Sequence, residues 1–286
     1  MNTFIEKLAA FIESEPYDII RISFCDVGSE PVTYEPEEHA WCQNTYSVSK
    51  TFTAAAIGLL YDKGLVTPQD RLCDILGDRV PENIPDRRWY DVTVRQLLTH
   101  SAGLPEGFLD IDVHRSSEFT DDFLKYTLTH ELEYTPGEGR KYSDGAFYLL
   151  SVIAEKLTGE PMDIFLGREL FLKLGFQEAA WSHCPKGHAM GGTGLYANSE
   201  DIVKLGTVFL DGGMYKGQRI FSEEWVNLAI NSEFGMDLNR ENGTFAKGGM
   251  NGQKLLMIPS QKRAVAIQSF GADTGRITDW FISNPS

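Results

Sequence analysis

Phe4, Ile5, Leu8, Phe11 and Ile12 recur with helical period, so the chain opens with an amphipathic helix that closes near Pro16. Residues 17–26 (YDIIRISFCD) are β-rich and alternate in part. Residues 28–31 (GSEP) read as a turn, and Val32-Thr33-Tyr34 returns as a second strand. Residues 46–60 (YSVSKTFTAAAIGLL) then read as a helix that ends near Gly64, with Pro68 beyond it. Ala54, Ala55, Ala56 and Gly58 are small, so other elements can approach closely, which predicts a central helix. From Thr67 to about Lys186 strand signals disappear. Helical periods over 92–98, 120–128, 146–157 and 161–174 alternate there with Gly/Pro loops. After the glycine-rich stretch 191–194 the pattern is mixed again. It predicts helices over 199–210 and 222–230, paired strands over 254–258 and 263–269 around Pro259-Ser260, and a closing helix over 274–282.

Two β-rich parts thus flank a helical part. This predicts an α/β (α+β) fold in which both β-rich parts join one sheet. Residues 1–66 and 190–286 would form a discontinuous sheet domain and residues 67–189 an inserted helical domain. The helix that follows Tyr46 would lie between them, and interfaces of that kind commonly hold pockets. There are no internal repeats and no low-complexity tracts.

The 286 residues are enough for a proper core, and 42% apolar with 23% charged is ordinary for a globular protein. A net charge of −15 argues against nucleic acid and anionic membrane as partners, because both need clustered Lys and Arg. No apolar run reaches the ~18 residues that a membrane span needs. Met1 to Asp18 carries one lysine and three glutamates and no long apolar block, unlike a secretory signal, so the expected location is the cytoplasm. Cys25, Cys42, Cys73 and Cys184 show no C-x-x-C spacing and are expected to be reduced and mostly buried.

Ser47 and Lys50 are three apart at the start of the central helix, which places them on one face. A serine needs a nearby base to become a good nucleophile, and a lysine serves only when its amine is neutral. Burial and the positive helix end both push the amine that way, and the same helix end stabilises a developing alkoxide. Tyr142, in Tyr142-Ser143-Asp144, follows the loop 135–139 (TPGEG) and precedes a buried helix. Beside lysine amines its phenol would ionise more readily and act as general base and acid. Residues 247–253 (KGGMNGQ) enter the strand at 254–258, and their glycines leave room for a substrate backbone.

In this order and spacing the three motifs resemble those of the serine β-lactamase and penicillin-binding protein superfamily: S-x-x-K, then S-D-N or Y-x-N, then K-T-G or a variant. The tyrosine-type second motif is similar to that of the class C β-lactamase, D,D-peptidase and esterase branch. The flanks agree. Residues 97–104 (LLTHSAGL) resemble that branch's L-L-T-H-T-S-G-L, residues 134–144 its P-G-x-x-x-x-Y-S-N, and residues 194–201 (GLYANSED) its G-L-x-S-T-A-x-D. Gly252-Gln253 resembles the variant of its esterase and amide-oligomer hydrolase members.

The resemblance implies a mainly antiparallel sheet flanked by helices with an inserted all-helical region. It implies a serine hydrolase that forms an acyl-enzyme on a small ester, amide or peptide, with no cofactor and no metal. Ser47 would be the nucleophile, Lys50 its base, Tyr142 the proton shuttle, and Lys247 the electrostatic anchor of the third motif. Gly248, Gly249 and Met250 would line the substrate, with the Ser47 N–H and one on the strand, that of Met250, forming the oxyanion hole. Two departures bear on substrate. Asp144 stands where the family pattern has an amide, and the third motif reads Lys-Gly-Gly without the threonine that holds a substrate carboxylate. Asp144 is expected to pair with Lys50, Lys247 or both, and esters or amides are expected over efficient β-lactam hydrolysis.

Other chemistries fit less well. No G-x-S-x-G elbow occurs for a Ser-His-Asp triad, and His100 falls in a loop where the resemblance implies a structural role. His183, Cys184 and His188 match no usual metal spacing, and Gly192-Thr193-Gly194 is too weak to indicate a dinucleotide. The competing reading is a degenerate relative that binds a peptide or cell-wall fragment without turnover.

Overall fold

The computed structural model describes residues 3–115 and 118–285. Helix α1 (Thr3–Glu13) leads into β1 (Ile19–Asp26) and β2 (Val32–Tyr34), and β3 (Gln43–Asn44) leads through a 3₁₀ turn (Tyr46–Val48) into α2 (Ser49–Asp62). Next come α3 (Leu72–Leu76), α4 (Val94–Leu98), α5 (Phe123–Leu128), α6 (Asp144–Thr158) and α7 (Met162–Leu166). The last continues through a π turn (Gly167–Phe171) into α8 (Leu172–Leu174). The remainder is β4 (Ala179–Trp181), β5 (Leu195–Ala197), α9 (Ser199–Leu210), β6 (Met214–Tyr215), β7 (Gln218–Arg219), α10 (Glu223–Asn231), β8 (Asp237–Asn239), β9 (Thr244–Gly249), β10 (Gln253–Ile258), β11 (Arg263–Ser269) and α11 (Thr274–Ser283).

One antiparallel sheet has the order β2-β1-β11-β10-β9-β8, so both β-rich parts of the chain do join it. Period-two alternation divides its side chains between two cores. Ile22, Phe24, Leu256, Val265 and Ile267 pack with Phe4 and Leu8 of α1 and Ile277 and Phe281 of α11. Cys25, Leu255, Met257, Ala264 and Ala266 face the larger core with α9 and α2. A Cβ on Gly206 of α9 would stand 2.7 Å from Ala264 Cβ, so small residues on both partners let α9 lie close against the sheet.

Every residue of α2 from Ser49 to Leu60 is buried, as a helix that is apolar or small all round requires. A Cβ on Gly58 would meet the Trp225 indole at 2.1 Å, so α10 sits directly on α2. Phe52 meets Phe171 and Phe176 edge-on across the π turn.

The structure differs from the sequence expectation in four places. Residues 179–181 form a strand inside the stretch read as purely helical, paired with β5 in a second sheet of order β3-β5-β4. Three residues are too few to show alternation. Ser47 lies on the 3₁₀ turn, and the α-helix begins at Ser49. Lys247, Gly248 and Gly249 end a strand of their own, β9, rather than forming only the approach to β10. The β6–β7 hairpin and β8 carried no readable pattern. The four cysteines are free thiols, three of them buried. Among the described residues no helix is long and apolar enough to cross a membrane.

Candidate active site

The 3₁₀ turn sets Ser47 beside the end of β9, and Lys50 links it to α6 and the 191–194 turn. Tyr46 has φ 47°, a left-handed conformation that a bulky side chain rarely adopts. It is held there at both ends. Its N–H donates to Asn44 Oδ1 at 2.9 Å, and its hydroxyl accepts from Asn251 Nδ2 at 3.0 Å. Asn251, in the turn after β9, has φ 57°, and so does His100 before the second motif. Three strained non-glycine residues thus sit beside the three motifs, where surrounding contacts over-determine them.

Lys50 is fully buried, and its Nζ has three acceptors: Ser47 Oγ at 3.1 Å, Asp144 Oδ1 at 2.5 Å and the Gly192 carbonyl at 2.7 Å. Burial alone pushes this amine down. The charges on Asp144 and Tyr142 and their hydrogen bonds outweigh it, and the amine is held above its ordinary range. As the expected Asp144–Lys50 pairing implies, this opposes the effect of burial and favours the charged amine. Asp144 is the first residue of α6 and does not cap it. Ser143 is the N-cap, and the Asp144 carboxylate points to Lys50.

The Tyr142 ring lies between two ammonium groups, Lys50 Nζ at 4.5 Å and Lys247 Nζ at 4.7 Å from its centroid. Lys247 is buried and also reaches Asp237 Oδ2 at 3.4 Å, and Asp237 in turn takes Arg140 at 3.2 Å. The third face of Tyr142 is covered by His100, centroid to centroid 4.4 Å. His100 Nδ1 accepts the Ser143 N–H at 3.3 Å. Burial, then the Lys50 and Lys247 charges, push its pKa well below 6.5, so it stays a neutral acceptor that fixes the second-motif backbone.

Gly249 at the end of β9 faces the nucleophile turn. A Cβ there would sit 2.5 Å from the Thr45 carbonyl and 3.3 Å from the Ser47 nitrogen, so only glycine fits. The Tyr46 N–H is taken by Asn44 and the Val48 N–H by the Thr45 carbonyl at 3.1 Å, which leaves the Ser47 N–H as this turn's free donor. Gly248 points to the opposite face of the sheet, and Met250 begins the turn after β9, two-fifths exposed.

Sequence reasoning missed the wall opposite β9. Gly191 has φ 64°, and a Cβ on it would clash with the Phe147 carbonyl at 2.2 Å. A Cβ on Gly192 would stand 2.9 Å from Asp144, so the turn packs against the second motif. Asp110 and Asp112 each bring a carboxylate oxygen within 4.8 Å of Asp144 and of each other. Burial first, with Asp144 adding to it, pushes both upward. Only the adjacent glycines hinted at this wall. Nothing in the residues around Asp110 and Asp112 marks them. His183 and His188 pair separately, with Asp163 at 3.1 Å and Glu155 at 2.7 Å.

The sequence model of the Beta-lactamase family matches residues 43–280, a range that contains every residue of this site. The chain is similar, at 33% identity over 139 residues, to penicillin-binding protein 4* of Bacillus subtilis (strain 168), covering 46% of this chain and 29% of that protein. It is 23% identical over 282 residues to the putative D-alanyl-D-alanine carboxypeptidase of Escherichia coli (strain K12), covering 79% of this chain and 62% of that protein. It therefore spans less than two thirds of either relative's length. The fold is similar to that of a family VIII carboxylesterase, with a TM-score of 0.74 at 18% identity over 95% of this chain and 92% of that one. With that family matched across 43–280, the chain belongs to the Beta-lactamase family, whose fold is that of a hydrolase.

Proposed function

We propose that this protein is a serine hydrolase that forms an acyl-enzyme on Ser47 and acts on small neutral or cationic esters and amides. The observation that carries this reading is the convergence of Ser47 Oγ, a buried Lys50 ammonium at 3.1 Å and a tyrosine ring between two ammonium groups. Tyr142 takes the Ser47 proton as the hydroxyl attacks the carbonyl, and later gives it to the leaving group. The form of Tyr142 that can accept this proton is the phenolate, whose charge Lys50 and Lys247 offset before the transfer, and they then stabilise the charge on the attacking serine oxygen. The Ser47 N–H and the end of β9 supply the oxyanion donors. A Ser47 ester then forms as the leaving alcohol or amine departs, and water releases the acid.

The test is mass spectrometry of the intact protein after exposure to short-chain esters and to a penicillin. An ester that adds one acyl group to Ser47 and then leaves on standing supports turnover. Absence of any adduct and of any hydrolysis supports the binding-only relative instead.

The substrate class rests on Asp144. β-Lactams and D-Ala-D-Ala peptides carry a carboxylate, and a fixed negative charge in the site opposes it. A like charge at about 8 Å costs about 2 kcal/mol at an effective dielectric near 20. Asp144→Asn is expected to raise kcat/KM for an anionic ester at least ~10-fold relative to a neutral one of similar size. The pH profile should move with it. Asp144 helps hold Lys50 above its ordinary range, and in this mechanism Lys50 works as the ammonium, so the rate falls only where that amine loses its proton at high pH. Removing the Asp144 charge lowers the amine's pKa and shifts that falling limb to lower pH. An unchanged substrate ratio removes Asp144 from the specificity argument.

A further inference from the structure

We infer that Asp112 is a positioning residue that holds the Lys50 amine on Ser47, acting through Thr193 and the 191–194 turn. The inference rests on the acyl-transfer reading above and extends it to residues that touch neither serine nor substrate.

The chain of contacts is short and buried. Thr193 is fully buried, and its hydroxyl donates to Asp112 Oδ2 at 2.5 Å. The carbonyl of Thr193 accepts the Trp181 indole N–H at 2.9 Å, which ties the turn to β4. The preceding residue, Gly192, offers its carbonyl to Lys50 Nζ at 2.7 Å. One residue earlier, the Gly191 carbonyl accepts the Thr53 hydroxyl of α2 at 2.7 Å. Three consecutive residues of one turn are thus fastened to α2, to the lysine and to Asp112.

Asp112 comes from elsewhere in the chain, the loop after α4. That loop is itself tied to the second motif. The Gly107 N–H donates to the Tyr142 carbonyl at 2.8 Å and the Gly145 N–H to the Phe108 carbonyl at 3.0 Å. Asp112 is oriented by its own loop, since its N–H donates to Asp110 Oδ1 at 3.0 Å. The Asp112–Thr193 bond therefore closes a bridge between the loop that is tied to the second motif and the turn that carries the Gly192 carbonyl.

The geometry gives this bridge a task. Lys50 Nζ has three protons and three acceptors, so its direction toward Ser47 Oγ depends on where the other two acceptors stand. Asp144 is fixed by α6. Gly192 sits on a turn of glycines that has little conformational resistance of its own. Without the Thr193 hydroxyl bond the turn keeps its ties to Thr53 and Trp181 but loses the one to Asp112, and the Gly192 carbonyl shifts and draws the ammonium from the serine. Misplacement by about 1 Å in a catalytic unit costs up to ~10²-fold.

Thr193→Val keeps the side-chain shape and removes only the hydroxyl. It is expected to lower kcat for the best ester about tenfold or more with little change in KM, within the range above. Thr193→Ser keeps the hydroxyl and should recover at least about half of the wild-type kcat, within the same argument. Asp112→Ala should match Thr193→Val, and the double variant should be no worse than the poorer single one. Two readouts separate failures. Labelling of wild-type Ser47 by a fluorophosphonate tests the acyl-transfer reading itself. The Lys50 ammonium resonance in nitrogen-15 NMR tests the bridge without turnover: it should shift in Thr193→Val and stay in place in Thr193→Ser. Wild-type kcat and an unmoved Lys50 resonance in Thr193→Val would overturn the inference while leaving a labelled Ser47 intact. Losses that multiply in the double variant would overturn it too, because Asp112 would then act by another route.

Discussion

Replacing Ser47 with alanine is expected to drop ester turnover by roughly 10⁶-fold, to background, as loss of a catalytic nucleophile does elsewhere. Covalent labelling should vanish with it. The fold should survive, because among the described residues Ser47 Oγ is held by Lys50 alone, at 3.1 Å, an interaction worth about 0.5–1.5 kcal/mol net. Ser49→Ala is the informative contrast. Ser49 Oγ is buried, lies 3.1 Å from Thr45 Oγ1 and accepts the Leu195 N–H at 3.1 Å, so it joins the nucleophile turn to β5. Its loss leaves a buried donor unmet at a cost of about 1–3 kcal/mol and spares the chemistry. Melting temperature and single-turnover labelling, measured on both variants, separate the two roles. A Ser47→Ala protein with ordinary turnover would end the acyl-enzyme reading.

Lys50→Ala and Tyr142→Phe should each lower kcat by at least ~10²-fold, the lower end for lost proton transfer. The double variant should lose little more than the poorer single one, since the ammonium lies 4.5 Å from the ring it serves and the two act as one unit. Lys50→Ala also leaves the Asp144 carboxylate buried without its partner, which costs roughly 3–5 kcal/mol. Kinetics are therefore read well below each variant's melting temperature, with circular dichroism as the control. Losses that multiply cleanly would contradict a shared role.

Much of this fold was legible in the sequence, and the reasons are particular. Ile22, Phe24, Val265 and Ile267 alternate cleanly because one face of their strands meets α1 and α11. The helix at 144–158 was readable because it is apolar on nearly every side and stops at Gly159 with φ 75°. Of the strands of two or three residues, β2 could be read from the turn at 28–31 before it, while β3, β4 and β8 are too short to show a period. In the site, Ser47, Lys50, Tyr142, Asp144 and Lys247 could be picked out because their motifs are local. The protonation of Lys50 could not be settled that way. Burial pushes the amine one way, and Asp144, 94 positions away, together with Tyr142 pushes it the other. The Asp112–Thr193 contact crosses 81 positions between two loops and left no pattern to find.

The central place of β11 beside β1 bears on how the molecule is made. Ile19 pairs with Ser269, so β1 waits for a partner strand synthesised far later in the chain. At ~5–20 residues per second that wait is on the order of tens of seconds on the ribosome. Closing so long a loop costs little more free energy than closing a shorter one, because the penalty grows only with the logarithm of length, yet such distant pairings form slowly. During the interval β1 has β2 on one edge, paired at Ile22 and Phe24, but its other edge is open, and α1 is the early helix able to cover those two side chains. The nucleophile turn is in the same position, since Gly249, which closes over it, also arrives late. Nascent chains therefore hold the Ser47 turn without its β9 wall until Gly249 has been made.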